Sequence, residues 1–144
     1  MKNLILILFI VLVSCSGSDD NSLPPVNIDE NLVGKWSLIQ YGKWPQGNFY
    51  YENNDIIWEF HQDGTLTVTV NESVELHPEL PLQTSGVFTW TTFLSGQSNQ
   101  YNNLVIPGYP DTLSYRFLIN HDLDIGRGDP TGENDYWMYF DKID

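Results

Sequence analysis

The alternation of apolar and polar side chains from Leu32 onward is the feature that most constrains the fold. Successive side chains of a β-strand point to opposite faces, so a period of two indicates half-buried strands, and no part of this region carries the stripe of an amphipathic helix. The sequence therefore predicts an all-β fold. The predicted strands are residues 33–41, 55–61, 65–71, 86–93, 101–106, 112–120, 122–126 and 135–142.

Turn-forming residues separate these strands and keep most of the connections short. Asp63-Gly64, flanked by Phe60 and Leu66, is typical of a tight hairpin between the second and third strands. Short connections between successive strands favour an antiparallel up-and-down order. Closing eight such strands into a barrel removes the exposed edges that an open sheet would leave. We therefore predict an eight-stranded antiparallel up-and-down barrel over residues 32–144.

The alternation also predicts which side chains fill the barrel. The predicted inner set is rich in aromatic and aliphatic residues, whereas the opposite set is more polar. A barrel of eight strands is just wide enough for side chains to fill it, or for one small ligand. We expect a filled lower half with at best a shallow pocket above it. The predicted inner residues are Trp36, Leu38, Gln40, Ile56, Trp58, Phe60, Leu66, Val68, Val70, Phe88, Trp90, Leu104, Ile106, Leu113, Tyr115, Phe117, Ile119, Leu123, Ile125, Tyr136, Met138 and Phe140.

The first 31 residues differ in composition from the barrel region. Lys2 precedes an unbroken apolar run from Leu4 to Val13, which has the length of a signal-peptide core and is too short to span a bilayer. Residues 16–31 are small, acidic and proline-bearing, as in a flexible tether. We therefore expect a signal peptide over residues 1–14, a lipidated cysteine and tether over 15–31, and the barrel over 32–144.

Cys15, the only cysteine of the chain, follows Leu12-Val13-Ser14, and this stretch resembles a bacterial lipobox. The resemblance implies that the Cys15 thiol takes a diacylglyceryl group, that cleavage occurs before Cys15 and that the new amino group is acylated, for example with palmitate. Two or more acyl chains anchor a protein stably in a membrane. Ser18-Asp19-Asp20 resembles the acidic export signal of Bacteroidetes lipoproteins. The expected location is the outer membrane of a bacterial envelope, with surface and periplasmic orientations both open; an ordinary signal peptide with a chance cysteine is the alternative.

Gly34-Lys35-Trp36, at the start of the first strand, resembles the Gly-x-Trp signature of lipocalins. In that family the Trp closes one end of an eight-stranded barrel, and a basic side chain from the last strand packs across its ring. Lys142 has the parity of the inward-facing residues of the last strand, so the resemblance implies that it contacts Trp36. Together with the lipobox, these features resemble the small lipocalin-like lipoproteins of Bacteroidetes over residues 32–144. The chain departs from that family in its shorter body and in having no predicted helix outside the barrel.

Lipocalins bind small apolar molecules at the open mouth of the barrel, under the loop that joins the first two strands. Residues 42–55 form the corresponding loop here. The resemblance implies a small apolar or amphipathic ligand held by Trp44, Phe49, Tyr50 and Tyr51, with Tyr109 contributing if its loop lies at the same end. The alternative is that these rings bind no ligand and fill the end of the barrel as part of the core.

A second hypothesis is a filled barrel that acts as a non-catalytic interaction module for an envelope protein or a glycan. Aromatic residues on the predicted outer face would then form the contact surface. These residues are Tyr41, Trp137 and Tyr139.

Charge and motif content argue against other functions. The chain has 6 Lys and Arg against 19 Asp and Glu, a formal charge of −13, so we expect no nucleic-acid partner. No serine lies in a nucleophile-elbow context, and the cysteine is assigned to lipid, so we expect no catalytic residue. His61, His77 and His121 each stand alone, without the spacing of a metal pair, and are expected on the surface or in turns. We expect no metal and no cofactor.

Overall fold

The computed structural model describes residues 27–94, 102–119, 122–127 and 135–143. Within these ranges the chain forms ten strands and no helix, which confirms the all-β prediction. The strands are β1 (Gly34–Lys43), β2 (Gly47–Tyr50), β3 (Ile56–Phe60), β4 (Thr65–Val70), β5 (Gly86–Thr89), β6 (Thr91–Leu94), β7 (Asn102–Val105), β8 (Leu113–Phe117), β9 (Leu123–Arg127) and β10 (Tyr136–Ile143).

The strands form one antiparallel sheet in the order β5-β4-β3-β1-β10-β9-β8-β7-β6, with β2 paired to the second half of β1. The two strands at the ends of this order, β5 and β6, are consecutive in the chain and separated by Trp90 alone. The sheet therefore curls back on itself into a nearly closed barrel. The antiparallel barrel predicted from the alternation is confirmed at this level.

The strand count differs from the predicted eight in two places. The predicted strand 86–93 is interrupted at Trp90, where the chain changes partner from β4 on one edge to β7 on the other. The Trp90 amide donates to the Gly64 carbonyl (2.8 Å) and its indole Nε1 to the Thr65 carbonyl (2.9 Å), so this residue is committed to the β3–β4 turn. The second difference is β2, which lies in the predicted loop 42–55.

A β-bulge in β1 reverses the predicted parity of its second half. Leu38 pairs with Phe140 and Gln40 with Tyr139, so Ile39 is an extra residue in the ladder. Beyond the bulge Tyr41 is fully buried, whereas Gln40 is only half-buried. The predictions that Gln40 lies inside and Tyr41 outside are wrong, because one inserted residue turns every later side chain to the other face.

The core otherwise follows the predicted inner set. Most of that set is buried, while Val70, Phe88 and Phe117 are partly buried against the same cluster. Ile119 is fully exposed, which contradicts its predicted inward position, because β8 ends at Phe117 and Ile119 lies in the connection that follows. Leu32 and Leu80, which lie outside the strands, complete the core.

One end of the barrel, which we call the tether end, is where β1 begins and residues 27–33 pack. The Asn27 carbonyl accepts a hydrogen bond from the Thr92 amide (2.8 Å), and the Leu32 carbonyl accepts one from Trp36 Nε1 (2.7 Å). Lys142 Nζ lies 5.2 Å from the centroid of the Trp36 ring, which is the contact that the lipocalin resemblance implies. Gly34 has a φ of +135°, and a Cβ built there would lie 3.3 Å from Lys142 Cε.

Residues 27–31 were predicted to belong to the flexible tether. In the structure this segment contacts the barrel. The signal peptide and Cys15 lie outside the described residues.

Candidate functional site

The opposite end of the barrel is covered by residues 71–85, the long connection between β4 and β5, and we call it the capped end. His77 and Leu80 of this connection are buried, at 9% and 3% exposure, and Leu76 and Leu82 pack against the core. Apolar side chains of the connection thus close the barrel where a lipocalin-like mouth was expected to be open. The expected lid, residues 42–55, instead forms the hairpin of β1 with β2 at the side of this end.

Polar contacts join residues 71–85 to the β1–β2 hairpin, and others link residues within this connection. The Lys43 ammonium, at the end of β1, forms an ion pair with the Glu79 carboxylate. The hydrogen bond that the Lys43 ammonium donates in this ion pair is the main cause that lowers the pKa of the Glu79 carboxylate below its ordinary value. The His77 amide donates to the Tyr51 hydroxyl (3.3 Å), and Gln83 Nε2 donates to the His77 carbonyl (3.2 Å). The connection is therefore an ordered part of the capped end.

A row of aromatic rings lies beneath this connection. The ring centroids of Phe49 and His77 are 4.3 Å apart, those of His77 and Tyr41 4.9 Å, and those of Tyr41 and Tyr136 5.8 Å. The Tyr136 and Tyr109 hydroxyls lie 2.8 Å apart and share a hydrogen bond. Burial is the main cause that raises the pKa of Tyr41, Tyr109 and Tyr136. His77 lies on a connection, as expected, but it is a buried member of this row.

The five predicted ligand-binding residues all lie at the capped end but do not converge. Trp44 and Tyr50 are exposed, at 63% and 72%, whereas Phe49, Tyr51 and Tyr109 are partly buried against the core. Alternation along β2 explains the difference between Phe49 and Tyr50, since neighbouring residues of a strand face opposite sides. Tyr109 belongs to the aromatic row, and Trp44 lies in the hairpin turn.

An open cleft of about 840 Å³ lies between the β2 region and the start of the covering connection. We call it the β2 cleft. Three of the predicted aromatic residues, Phe49, Tyr50 and Tyr51, line it, whereas Trp44 and Tyr109 do not. The remaining lining residues are Asn48, Glu52, Asp55, Ser73, Val74, Glu75, Leu76, His77 and Pro78.

Residues 73–78 form the half of the cleft that sequence reasoning missed. They lie in an irregular connection in which apolar and polar residues do not alternate regularly, so the sequence pattern did not indicate their position. The length of this connection and its apolar residues were a usable signal, because long connections in compact domains are commonly functional.

The loop between β2 and β3 sets the acidic side of the cleft. Asn54 adopts a φ of +71°, and its amide donates to the buried Ser37 Oγ (2.9 Å). The Glu52 amide donates to Asp55 Oδ2 (2.9 Å), which fixes the Asp55 carboxylate against its own loop. Glu52, Asp55 and Glu75 give the lining three carboxylates, and the lining contains no Lys or Arg.

The outer-face aromatic surface is smaller than expected. Tyr41 is buried and cannot contribute to it, which corrects its prediction as an outer-face residue. Trp137 is half-buried on the outside of β10, and its ring occupies the space that a Cβ on Gly42 would need. Tyr139 is also half-buried and lies opposite Gln40.

Among the described residues, no three His, Cys, Asp or Glu side chains are arranged to hold a metal ion. In the same part of the chain, no helix is long and apolar enough to cross a membrane. No family model, curated protein or solved structure matches this chain. The geometry of the capped end is therefore the basis for inferring function.

Proposed function

We propose that this protein is an envelope lipoprotein that binds a small amphipathic ligand in the β2 cleft. The observation that carries the proposal is an open cleft of about 840 Å³ lined by Phe49, Tyr50 and Tyr51. Apolar and aromatic side chains supply most of the lining of small-molecule sites, and a few polar groups orient the ligand. The β2 cleft has both kinds of group.

The ligand site differs from the one that the lipocalin resemblance implies. Trp36, Trp58, Phe60 and Phe140 occupy the barrel interior, and Leu80 closes the capped end. The ligand therefore binds beside the barrel end, between β2 and residues 73–78. Support for a lipocalin-like relationship comes from the nearly closed antiparallel barrel and from Lys142 over Trp36.

The proposed anchor is a lipid on Cys15, in the outer membrane of a bacterial envelope. Residues 16–26 separate Cys15 from Asn27, where the described contacts with the barrel begin. Such a segment reaches at most about 40 Å when fully extended. Asn27 lies at the tether end and the β2 cleft lies at the capped end, so the length of the barrel would separate the cleft from the anchored segment.

A second candidate function is a filled barrel that docks an envelope protein or a glycan through its outer face. The half-buried Trp137, which lies against Gly42, favours this alternative. Its ring presents an outer-face aromatic surface that is separate from the cleft. Substitution of Trp137 therefore distinguishes the two proposals.

The first proposal is tested by adding dodecyldimethylamine oxide, an uncharged amphiphile, below its micelle concentration at pH 8. We expect amide chemical-shift changes confined to residues 48–55 and 73–78. Tyr50→Ala should weaken binding about tenfold, because the exposed ring loses its stacking and apolar contact with the ligand. Trp44→Ala is the matched control, since it removes an exposed ring of the same hairpin that does not line the cleft.

Shifts elsewhere on the barrel, or equal losses from Tyr50→Ala and Trp44→Ala, would contradict binding in the cleft. If Trp137→Ala alone weakened binding of the amphiphile, the outer-face alternative would be favoured.

A further inference from the structure

We infer that the β2 cleft selects cationic amphiphiles, in which an ammonium head group is attached to an apolar body. The inference rests on the proposed function and names its ligand class. It is carried by the combination of aromatic walls and carboxylates in one open cleft whose lining contains no Lys or Arg.

The carboxylates give the cleft a negative field. Glu52 and Glu75 are exposed, and Asp55 is held by the Glu52 amide at 2.9 Å. Lys43, at the end of the adjoining strand β1, is engaged in its ion pair with Glu79 and does not line the cleft. No Lys or Arg within the lining therefore neutralises the three carboxylates.

His77 is the one histidine in the lining of the cleft, and it is buried. Its Nδ1 accepts a hydrogen bond from the Glu79 amide at 3.3 Å, and its ring packs against Phe49 and Tyr41 in the aromatic row.

The aromatic side chains favour the same ligand charge. Tyr50 is 72% exposed, and Phe49 and Tyr51 line the same cleft. The faces of aromatic rings are negative and attract cations, quaternary ammonium groups among them. Val74, Leu76 and Pro78 offer apolar contact for the body of the ligand. A cation with an apolar tail therefore matches the aromatic, apolar and acidic groups of the lining, whereas the carboxylates would repel a fatty-acid anion.

The test compares three amphiphiles that share an apolar chain. Dodecyltrimethylammonium is cationic, dodecyldimethylamine oxide is an uncharged molecule of nearly the same shape at pH 8, and dodecanoate is anionic. At low salt we expect the cation to bind about tenfold more tightly than the amine oxide, and dodecanoate to bind most weakly. Added salt should reduce these differences, because it screens charges at exposed sites.

Variants separate a local effect from the overall charge of the protein. Glu52→Gln combined with Glu75→Gln should reduce the preference for the cation over the amine oxide to about threefold or less. Glu30→Gln combined with Glu72→Gln is the matched control, because both carboxylates are exposed, neither lines the cleft and the change in net charge is the same. The control should retain the full preference.

Equal affinities for the cation and the amine oxide would overturn this inference while leaving the proposed function standing. An equal loss of preference in both double variants would also overturn it, since net charge would then be the cause. Absence of binding by all three amphiphiles would instead contradict the proposed function itself.

Discussion

Three buried tryptophans differ in how their indole N–H groups are satisfied. Trp36 Nε1 donates to the Leu32 carbonyl at 2.7 Å, and Trp90 Nε1 donates to the Thr65 carbonyl at 2.9 Å. Trp58 Nε1 is buried and has no hydrogen-bond partner among the described residues. A buried donor without a partner keeps the desolvation penalty of a polar group, about 1–3 kcal/mol. The ring of Trp58 therefore stabilises the core, but its buried N–H group has a desolvation penalty that the hydrogen-bonded N–H groups of Trp36 and Trp90 do not have.

This difference predicts unequal effects of Trp→Phe substitution. Each change removes the same part of a buried ring. Trp90→Phe also removes the hydrogen bond to the Thr65 carbonyl, which keeps only the His61 amide as a donor, whereas Trp58→Phe removes an unsatisfied group. We expect Trp58→Phe to lower the free energy of unfolding by about 1–2 kcal/mol less than Trp90→Phe, as measured by urea denaturation. A larger loss for Trp58→Phe would show that its N–H is satisfied in solution.

At the scale of elements, β9 and β10 approach each other closely at Gly126. This glycine pairs with Trp137, and a Cβ built on it would lie 2.6 Å from the Tyr136 carbonyl oxygen. A backbone atom cannot move aside as the end of a flexible side chain can. The ladder between the two strands therefore requires a residue without a side chain at this position.

Gly126→Ala should lower the free energy of unfolding by about 1–3 kcal/mol, the usual cost of overpacking. Gly86→Ala is the matched control, because its Cβ would meet only the Phe88 ring, at 3.3 Å and 3.4 Å. That change should be close to neutral or slightly stabilising, since alanine restricts the unfolded chain. Thermal and urea unfolding of both variants provide the measurement, and equal stabilities would contradict the close approach.

Most strands and the barrel order could be predicted, because alternation and short turns are local signals. The contact of Lys142 with Trp36 was implied by the lipocalin resemblance, with parity identifying Lys142 as the inward-facing basic residue of the last strand. The bulge at Ile39 could not be predicted, since it depends on the register with β10 and leaves no mark in the alternation.

The change of partner at Trp90 was missed for a similar reason, because it depends on contacts with the β3–β4 turn. Phe49, Tyr50 and Tyr51, which line the β2 cleft, were named from the loop that the lipocalin resemblance singles out. Residues 73–78 reach the cleft through tertiary packing alone, so the alternation pattern did not indicate them.

At the scale of the molecule, buried tyrosines make stability depend on alkaline pH. Burial is the main cause that raises the pKa of five tyrosines above the ordinary value of about 10. Above pH 10 these phenols ionise in the unfolded chain while they stay protonated in the folded one. The unfolded state then binds fewer protons, so stability falls as pH rises. The five are Tyr41, Tyr51, Tyr109, Tyr115 and Tyr136.

We expect the free energy of unfolding to decline above pH 10, by at most about 1.4 kcal/mol per pH unit for each tyrosine involved. Phenolate absorbance at 295 nm should rise together with the loss of β-sheet circular dichroism. Tyr136→Phe should make the decline shallower by removing one such group. A stability that rises between pH 10 and 11, or an unchanged slope in Tyr136→Phe, would contradict this assignment.

The pairing of β1 with β10 also determines when the molecule can fold. This ladder runs from Lys35 opposite Ile143 to Lys43 opposite Tyr136, so it joins segments that are far apart along the chain. Pairing of distant segments slows folding to about milliseconds to seconds, because loop-closure entropy is lost before the contacts form. The barrel can close only once β10 is available. The sheet therefore cannot be completed until the last strand pairs with the first, so a chain that ends before Tyr136 would lack the ladder at the centre of the sheet.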